Sequence, residues 1–128
     1  MVFHPVRPAP WGISLKQQRK TLFDALLYKK HRRLYRERIR RAPPWKYHAS
    51  VASVLAAALT AAGGLAAPSL ASAAVWGVLT GQFCAHRLRD TSRAPVHIAE
   101  MVLTSALIPP IAIFWRLRGA LSFRVFFI

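Results

Sequence analysis

The chain has 128 residues, with 19 Lys and Arg against 4 Asp and Glu, a formal net charge of +15, and 54% hydrophobic residues. Disordered basic tails have such charge without the apolar content, and soluble nucleic-acid modules rarely carry long uncharged runs. The pairing points to a membrane protein with basic cytoplasmic segments. No base-reading fold is visible, so the charge does not establish nucleic-acid binding, and none is expected.

The N-terminal MVFHPVRPAP lacks the apolar stretch of a signal peptide. Ser14 followed by Gln17 fits a capping box, which predicts a helix from Leu15. Residues 14–48 read as basic amphipathic cytoplasmic helices. Leu22, Phe23, Leu26 and Leu27 form an apolar patch, YKKHRRLYRERIRR follows, and Ala42–Pro44 ends the segment. Glu37, between Arg36 and Arg38, reads as an intrahelical ion-pair partner. On physics alone, such a segment rests on anionic lipid.

Residues 49–85 carry no charge. Two spans, Ala49–Ala66 and Leu70–Ala85, fit this run if Ala67–Ser69 supplies a turn, since Pro68 disfavours helix at the residue before it. The competing reading is a buried hairpin of a soluble core. Trp45 and Tyr47 precede the first span, where amphipathic rings favour an interface, and His48 and His86 bracket the hairpin. Gly77 and Gly81 have the small-xxx-small spacing that lets helices approach closely. Cys84 reads as a small buried or lipid-facing side chain.

Arg40, Arg41 and Lys46 lie before the hairpin, and Arg87, Arg89 and Arg93 after it, while the turn has no cation. The positive-inside rule puts both ends in the cytoplasm. Residues 86–128 then form a cytoplasmic loop and a third apolar segment, Met101–Trp115. It is short for a crossing, and Pro109 and Pro110 are expected to break its helix near Ile108. A re-entrant or interfacial helix is favoured over a third span, because a crossing would export Arg116, Arg118 and Arg124. The tail ALSFRVFFI is expected along the membrane surface. Glu100 reads as a carboxylate near a helix N-terminus, with a membrane-level functional carboxylate as the sharper alternative.

The expected fold class is therefore all-α membrane: a basic amphipathic helix, a two-span transmembrane hairpin, and a re-entrant or interfacial C-terminal helix. Catalytic machinery is sparse. Asp24, Asp90, Glu37 and Glu100 make no acid–base pair or metal motif, and no histidine pair has the i, i+4 spacing of a helical metal site. No Gly-rich phosphate loop or G-x-S-x-G is present.

VFHPVRPAPW, then SLKQQRKTLFDALLYKKH, a basic helix and a helical hairpin resemble the C-terminal part of a bacterial family 2 glycosyltransferase. TSRAPVHIAEMVLTSALIPPIAIFWRLRGALSFRVFF is similar to the closing segment of membrane-bound members, so the resemblance covers essentially the whole chain. It implies an α/β GT-A catalytic domain before Met1, with a divalent metal held by an acidic motif and a carboxylate base. Residues 1–13 would be the exit from that domain, with His4 at its strand end. This chain would hold no catalytic residue, metal or cofactor, and would be a fragment that does not transfer sugar alone.

QQRKT resembles the family's Gln/Arg motif, which implies that Gln17, Gln18, Arg19 and Lys20 face the diphosphate of a nucleotide-sugar and a lipid-linked or membrane-proximal acceptor. Cations suit a diphosphate through charge-assisted hydrogen bonds. Thr21 stands where that motif has Trp. The expected location is the bacterial inner membrane, multi-pass, with a cytoplasmic N-terminus. The competing functions are a non-enzymatic anchor binding anionic lipid or an acidic partner, and a cationic membrane-permeabilising protein.

Overall fold

The computed structural model describes residues 10–89, 91 and 94–126, and all regular structure among them is helical. Residues 1–9 of the exit segment, His4 among them, lie outside the described residues, as do Asp90 and Arg93. The basic segment is not one helix. It comprises α1 (Ile13–Gln17), a 3-10 turn (Gln18–Thr21), α2 (Leu22–Lys30), α3 (Arg32–Leu34) and a π turn (Tyr35–Ile39). The break after α2 falls at His31, whose φ of −138° and ψ of 56° leave the helical region.

The capping box does not form. Gly12 caps α1 with φ 72° and no side-chain cap, the helix starts at Ile13, and the Ser14 hydroxyl is used elsewhere. A left-handed cap suits Gly, which has no Cβ to clash there.

Helices α4 (Trp45–Ala62) and α5 (Ala66–Leu88) pack on each other as a helical hairpin, with its turn earlier than Ala67–Ser69. The Leu65 N–H donates to the Thr60 carbonyl and the Gly64 N–H to that of Ala61, with Gly64 at φ 73°. This pairing ends a helix at a left-handed residue, a role Gly63–Gly64 serves without strain. Pro68 sits in the first turn of α5 instead, where its missing N–H costs nothing.

The hairpin is stitched by small polar residues: the Ser69 hydroxyl donates across the turn to the Ala57 carbonyl at 3.0 Å. Its large apolar side chains point outward. Leu59 is 73% and Leu70 71% exposed, and Leu55, Val75 and Val78 are exposed as well. Gly77 and Gly81 do not make the close crossing their spacing suggests, since a Cβ at either would meet nothing within 4 Å.

Helix α6 (Pro95–Ser122) runs unbroken through Pro109 and Pro110, so the expected interruption near Ile108 is absent. Its 28 residues reach about 42 Å at 1.5 Å per residue. Among the described residues, α6 is the one helix long and apolar enough to cross a membrane. Met101, Thr104, Ser105, Ile108, Ala112, Arg116 and Gly119 form its buried stripe. On the opposite side, Leu103, Leu107, Phe114, Leu117 and Leu121 recur at steps of three, four and seven and are all exposed.

The basic segment lies along α6 over nearly its whole length. At one end the Gly12 N–H donates to Glu100 Oε1 at 2.7 Å. At the other, Lys29 Nζ donates to the Phe123 carbonyl at 2.8 Å. Between them Gly119 lets the backbones meet: a Cβ there would lie within 3.2 Å of the Leu22 Cα and carbonyl carbon. A small core of Ala25, Tyr28 and Tyr35 closes the α2 end, with Phe123 and Val125 packed against it. The described part of the tail therefore folds back onto α2 and the π turn, although Phe126 is 92% exposed.

Candidate functional site

Two polar clusters fix the basic segment on α6. In the first, Arg87 at the end of α5 donates from one guanidinium nitrogen to the Thr104 hydroxyl at 2.7 Å and the Ser105 hydroxyl at 3.0 Å. Its other terminal nitrogen reaches the Ser14 hydroxyl at 3.4 Å. One planar cation thus ties α5, α6 and α1 together. Thr104 and Ser105 are fully buried, so charge-assisted donation satisfies hydroxyls that would otherwise be costly. Glu100, expected near a helix N-terminus, sits in the second turn of α6 and accepts from the Gly12 amide there.

In the second cluster, Arg116 is 6% exposed and donates to Asp24 Oδ2 at 3.3 Å. The Tyr35 hydroxyl donates to the same oxygen at 3.4 Å. Burial raises the Asp24 carboxyl above its ordinary 3.8, and the nearby Arg116 and Arg40 charges only partly offset that. Burial likewise raises the Tyr35 hydroxyl. Arg116 and Asp24, read in the sequence as a tail cation and an isolated acid, are one ion pair joining α6 to α2, with Arg116 buried and Asp24 half-buried. Glu37 pairs with Arg33 at 2.8 Å, four residues back, in the intrahelical role expected for it but with neither sequence neighbour.

The four residues singled out from the sequence occupy the α1 end and the 3-10 turn beside α6. Gln17, Arg19 and Lys20 are exposed, and Gln18 is half-buried and donates its side-chain amide to the Ser14 carbonyl at 3.0 Å. Arg19 sits 5.7 Å from the Trp115 ring centroid and Arg118 sits 5.2 Å from it. Two guanidinium groups against one indole give a pre-ordered cationic patch, because each is held by the ring quadrupole. Exposed Lys16 and Lys20 widen it.

Such a patch can donate charge-assisted hydrogen bonds to phosphate oxygens. Among the described residues no group of His, Cys, Asp and Glu could hold a metal ion.

Sequence reading missed the Arg87 cluster and Trp115. The available signals were Thr104–Ser105 inside an apolar run and Arg87 as the first cation after the uncharged stretch. Cys84 is buried in α5, one of the two environments expected for it. No family model, curated protein or solved structure matches the chain.

Proposed function

We propose that the chain is a membrane-seated helical module, the C-terminal membrane part of a family 2 glycosyltransferase, which transfers sugar from a nucleotide-sugar to a membrane-proximal acceptor. The observation that carries this reading is the apposition of Gln17–Lys20 to α6. The motif that resembles the family's diphosphate-facing segment lies on the helix that resembles its closing segment, and both contribute cations around Trp115. In this reading the hairpin α4–α5 enters the bilayer although neither helix is as long and apolar as α6; its uncharged tip and outward Leu and Val side chains support that placement.

Helix α6 then lies in the interface. Its length would permit a crossing, but the basic segment runs beside it from Glu100 to Phe123. A perpendicular crossing would carry Arg19 and its neighbours Lys16 and Lys20 to mid-depth, at about 2.5–3.5 kcal/mol per cation on insertion scales. Lying flat keeps those cations in water and headgroups while the apolar stripe Leu103–Leu121 faces acyl chains. The inner leaflet of a bacterial cytoplasmic membrane, with its anionic lipid, matches the charge.

The test is genomic and biochemical. Translation upstream of Met1 should give an in-frame α/β coding region with an acidic metal motif, and the joined chain should transfer sugar in membranes. An upstream stop codon with a separate ribosome-binding site would overturn the transferase reading.

A second reading, a non-enzymatic anchor on anionic lipid, is favoured by the exposed Phe23, Leu27, Leu34 and Ile39 interleaved with the cations of the basic segment. It requires no upstream domain and shares the interfacial placement of α6.

A further inference from the structure

Where α4, α5 and α6 converge at the base of the hairpin there is a cavity of about 240 Å³. Lys46 and His86 stand at its rim, Ser50 and Thr80 contribute polar groups, and Phe83 and Pro109 form apolar wall. The Tyr47 and Phe83 rings meet edge to face at 5.5 Å beside it, bracing α4 against α5.

One atom in the cavity lining is out of place. Thr80 Oγ1 is buried with no hydrogen-bond partner among the described residues. Thr60 and Thr104, also within helices, each donate to the carbonyl four residues back, both at 2.7 Å. Thr80 does not make that bond, and a buried unsatisfied hydroxyl costs about 1–3 kcal/mol. The cavity is far larger than the roughly 30 Å³ share of a single water, and its mainly apolar wall suits a water cluster poorly.

We infer that this cavity holds one anionic phospholipid, its phosphate at Lys46 and His86 and its ester region accepting from Thr80. The inference rests on the membrane reading above. In that reading Lys46 lies three residues before the uncharged run 49–85 and His86 directly after it, so the cavity sits at headgroup depth. A cation at the rim, an unpaired donor within and apolar wall beyond match the order phosphate, ester, acyl chain. The positive end of the α4 dipole lies at the same base of the hairpin and adds to the attraction for an anion.

The full chain, purified in an uncharged detergent, can be titrated with phosphatidylglycerol, phosphatidylcholine or inorganic phosphate and read by native mass spectrometry. One phosphatidylglycerol per chain is expected to persist in preference to phosphatidylcholine. Lys46→Gln should weaken retention about tenfold, since charge-assisted hydrogen bonds are strong. Thr80→Val, which removes the hydroxyl at similar volume, should weaken it about three- to tenfold. Lys30→Gln, which removes the same charge away from the cavity, should leave it unchanged. Circular dichroism of each variant should match the parent.

Equal weakening by Lys30→Gln, no effect of Thr80→Val, or equal retention of free phosphate would each overturn the proposal. A chain that fails to float with vesicles would overturn the membrane reading. A chain that floats but retains no Lys46-dependent lipid would overturn the cavity assignment alone.

Discussion

Gly119→Ala tests the central contact of the fold, the backbone crossing of α2 on α6. The added Cβ would lie inside van der Waals contact of the Leu22 carbonyl oxygen and within 3.2 Å of its Cα and carbonyl carbon. Both sides are helical backbone, so no side chain can swing away. Overpacking of this kind costs about 1–3 kcal/mol, and Ala returns up to about 1 kcal/mol of helix propensity, so a mid-range cost leaves a net loss of about 1 kcal/mol. Gly77→Ala and Gly81→Ala are internal controls. Both are inside α5 with nothing within 4 Å of a Cβ, so they should stabilise by up to about 1 kcal/mol each.

The assay for this prediction is limited trypsin digestion of the chain in detergent, timing cleavage at Arg19, Lys20 and Lys29. If local opening controls cleavage, Gly119→Ala should speed it several-fold to about tenfold, while the α5 variants leave it unchanged. Slower cleavage in Gly119→Ala, or an effect equal to that of Gly77→Ala, would refute the crossing.

Arg87→Met should lower stability by about 2 kcal/mol by removing the donors to Thr104, Ser105 and Ser14, measured as a drop in the detergent-solubilised thermal midpoint. For Asp24, the folded value lies above the unfolded 3.8. Its contribution favouring the fold is therefore complete below 3.8 and fades as pH rises through the raised value, so the stability of the parent relative to Asp24→Asn should improve as pH falls through that raised value toward 3.8. Partition of the full chain onto anionic vesicles should weaken by about 1 kcal/mol for each of Lys16→Gln, Arg19→Gln and Lys20→Gln at low salt, and by less at high salt. Reporter fusions at Gly64 and Phe126 should place the first outside and the second in the cytoplasm; a reporter active outside at Phe126 would show that α6 crosses.

The pairing of two helices over residues 49–85 is legible because the absence of charge there is a long-window signal that no single residue can mask. Its turn was misplaced because Pro68 was weighed as a breaker. Proline is equally at home in a first turn, and Gly63–Gly64, which can adopt a positive φ, is what ends α4. Pro109 and Pro110 misled in the same way. A proline pair weakens a helix, but here both halves of α6 are held from the side, by the hairpin near Pro109 and by α2 near Gly119.

The placement of Gln17–Lys20 beside α6 was not legible from spacing at all, because it depends on pairings such as Gly12 with Glu100, 88 residues apart. Arg116 was read as tail charge for the same reason: its partner Asp24 lies 92 residues away. Long-range ion pairs leave no periodic trace in a single sequence.

The lengthwise apposition of the first helices on the last one has a consequence in time. Lys29 must wait for Phe123, 94 residues later, before its bond can form. At about 5–20 residues per second of synthesis, that is a delay of roughly 5–20 seconds. Through that interval Leu22, Ala25 and Tyr28, which end up against Gly119, Phe123 and Val125, have nothing to lie against. The hairpin contacts, such as Ser69 to Ala57, are short-range and can close first. The nascent basic segment is then best accommodated at the bilayer surface, where headgroups take its cations and acyl chains its apolar patch. The membrane would act as a temporary stand-in for α6, and assembly of the finished module would be a transfer of the segment from lipid to protein.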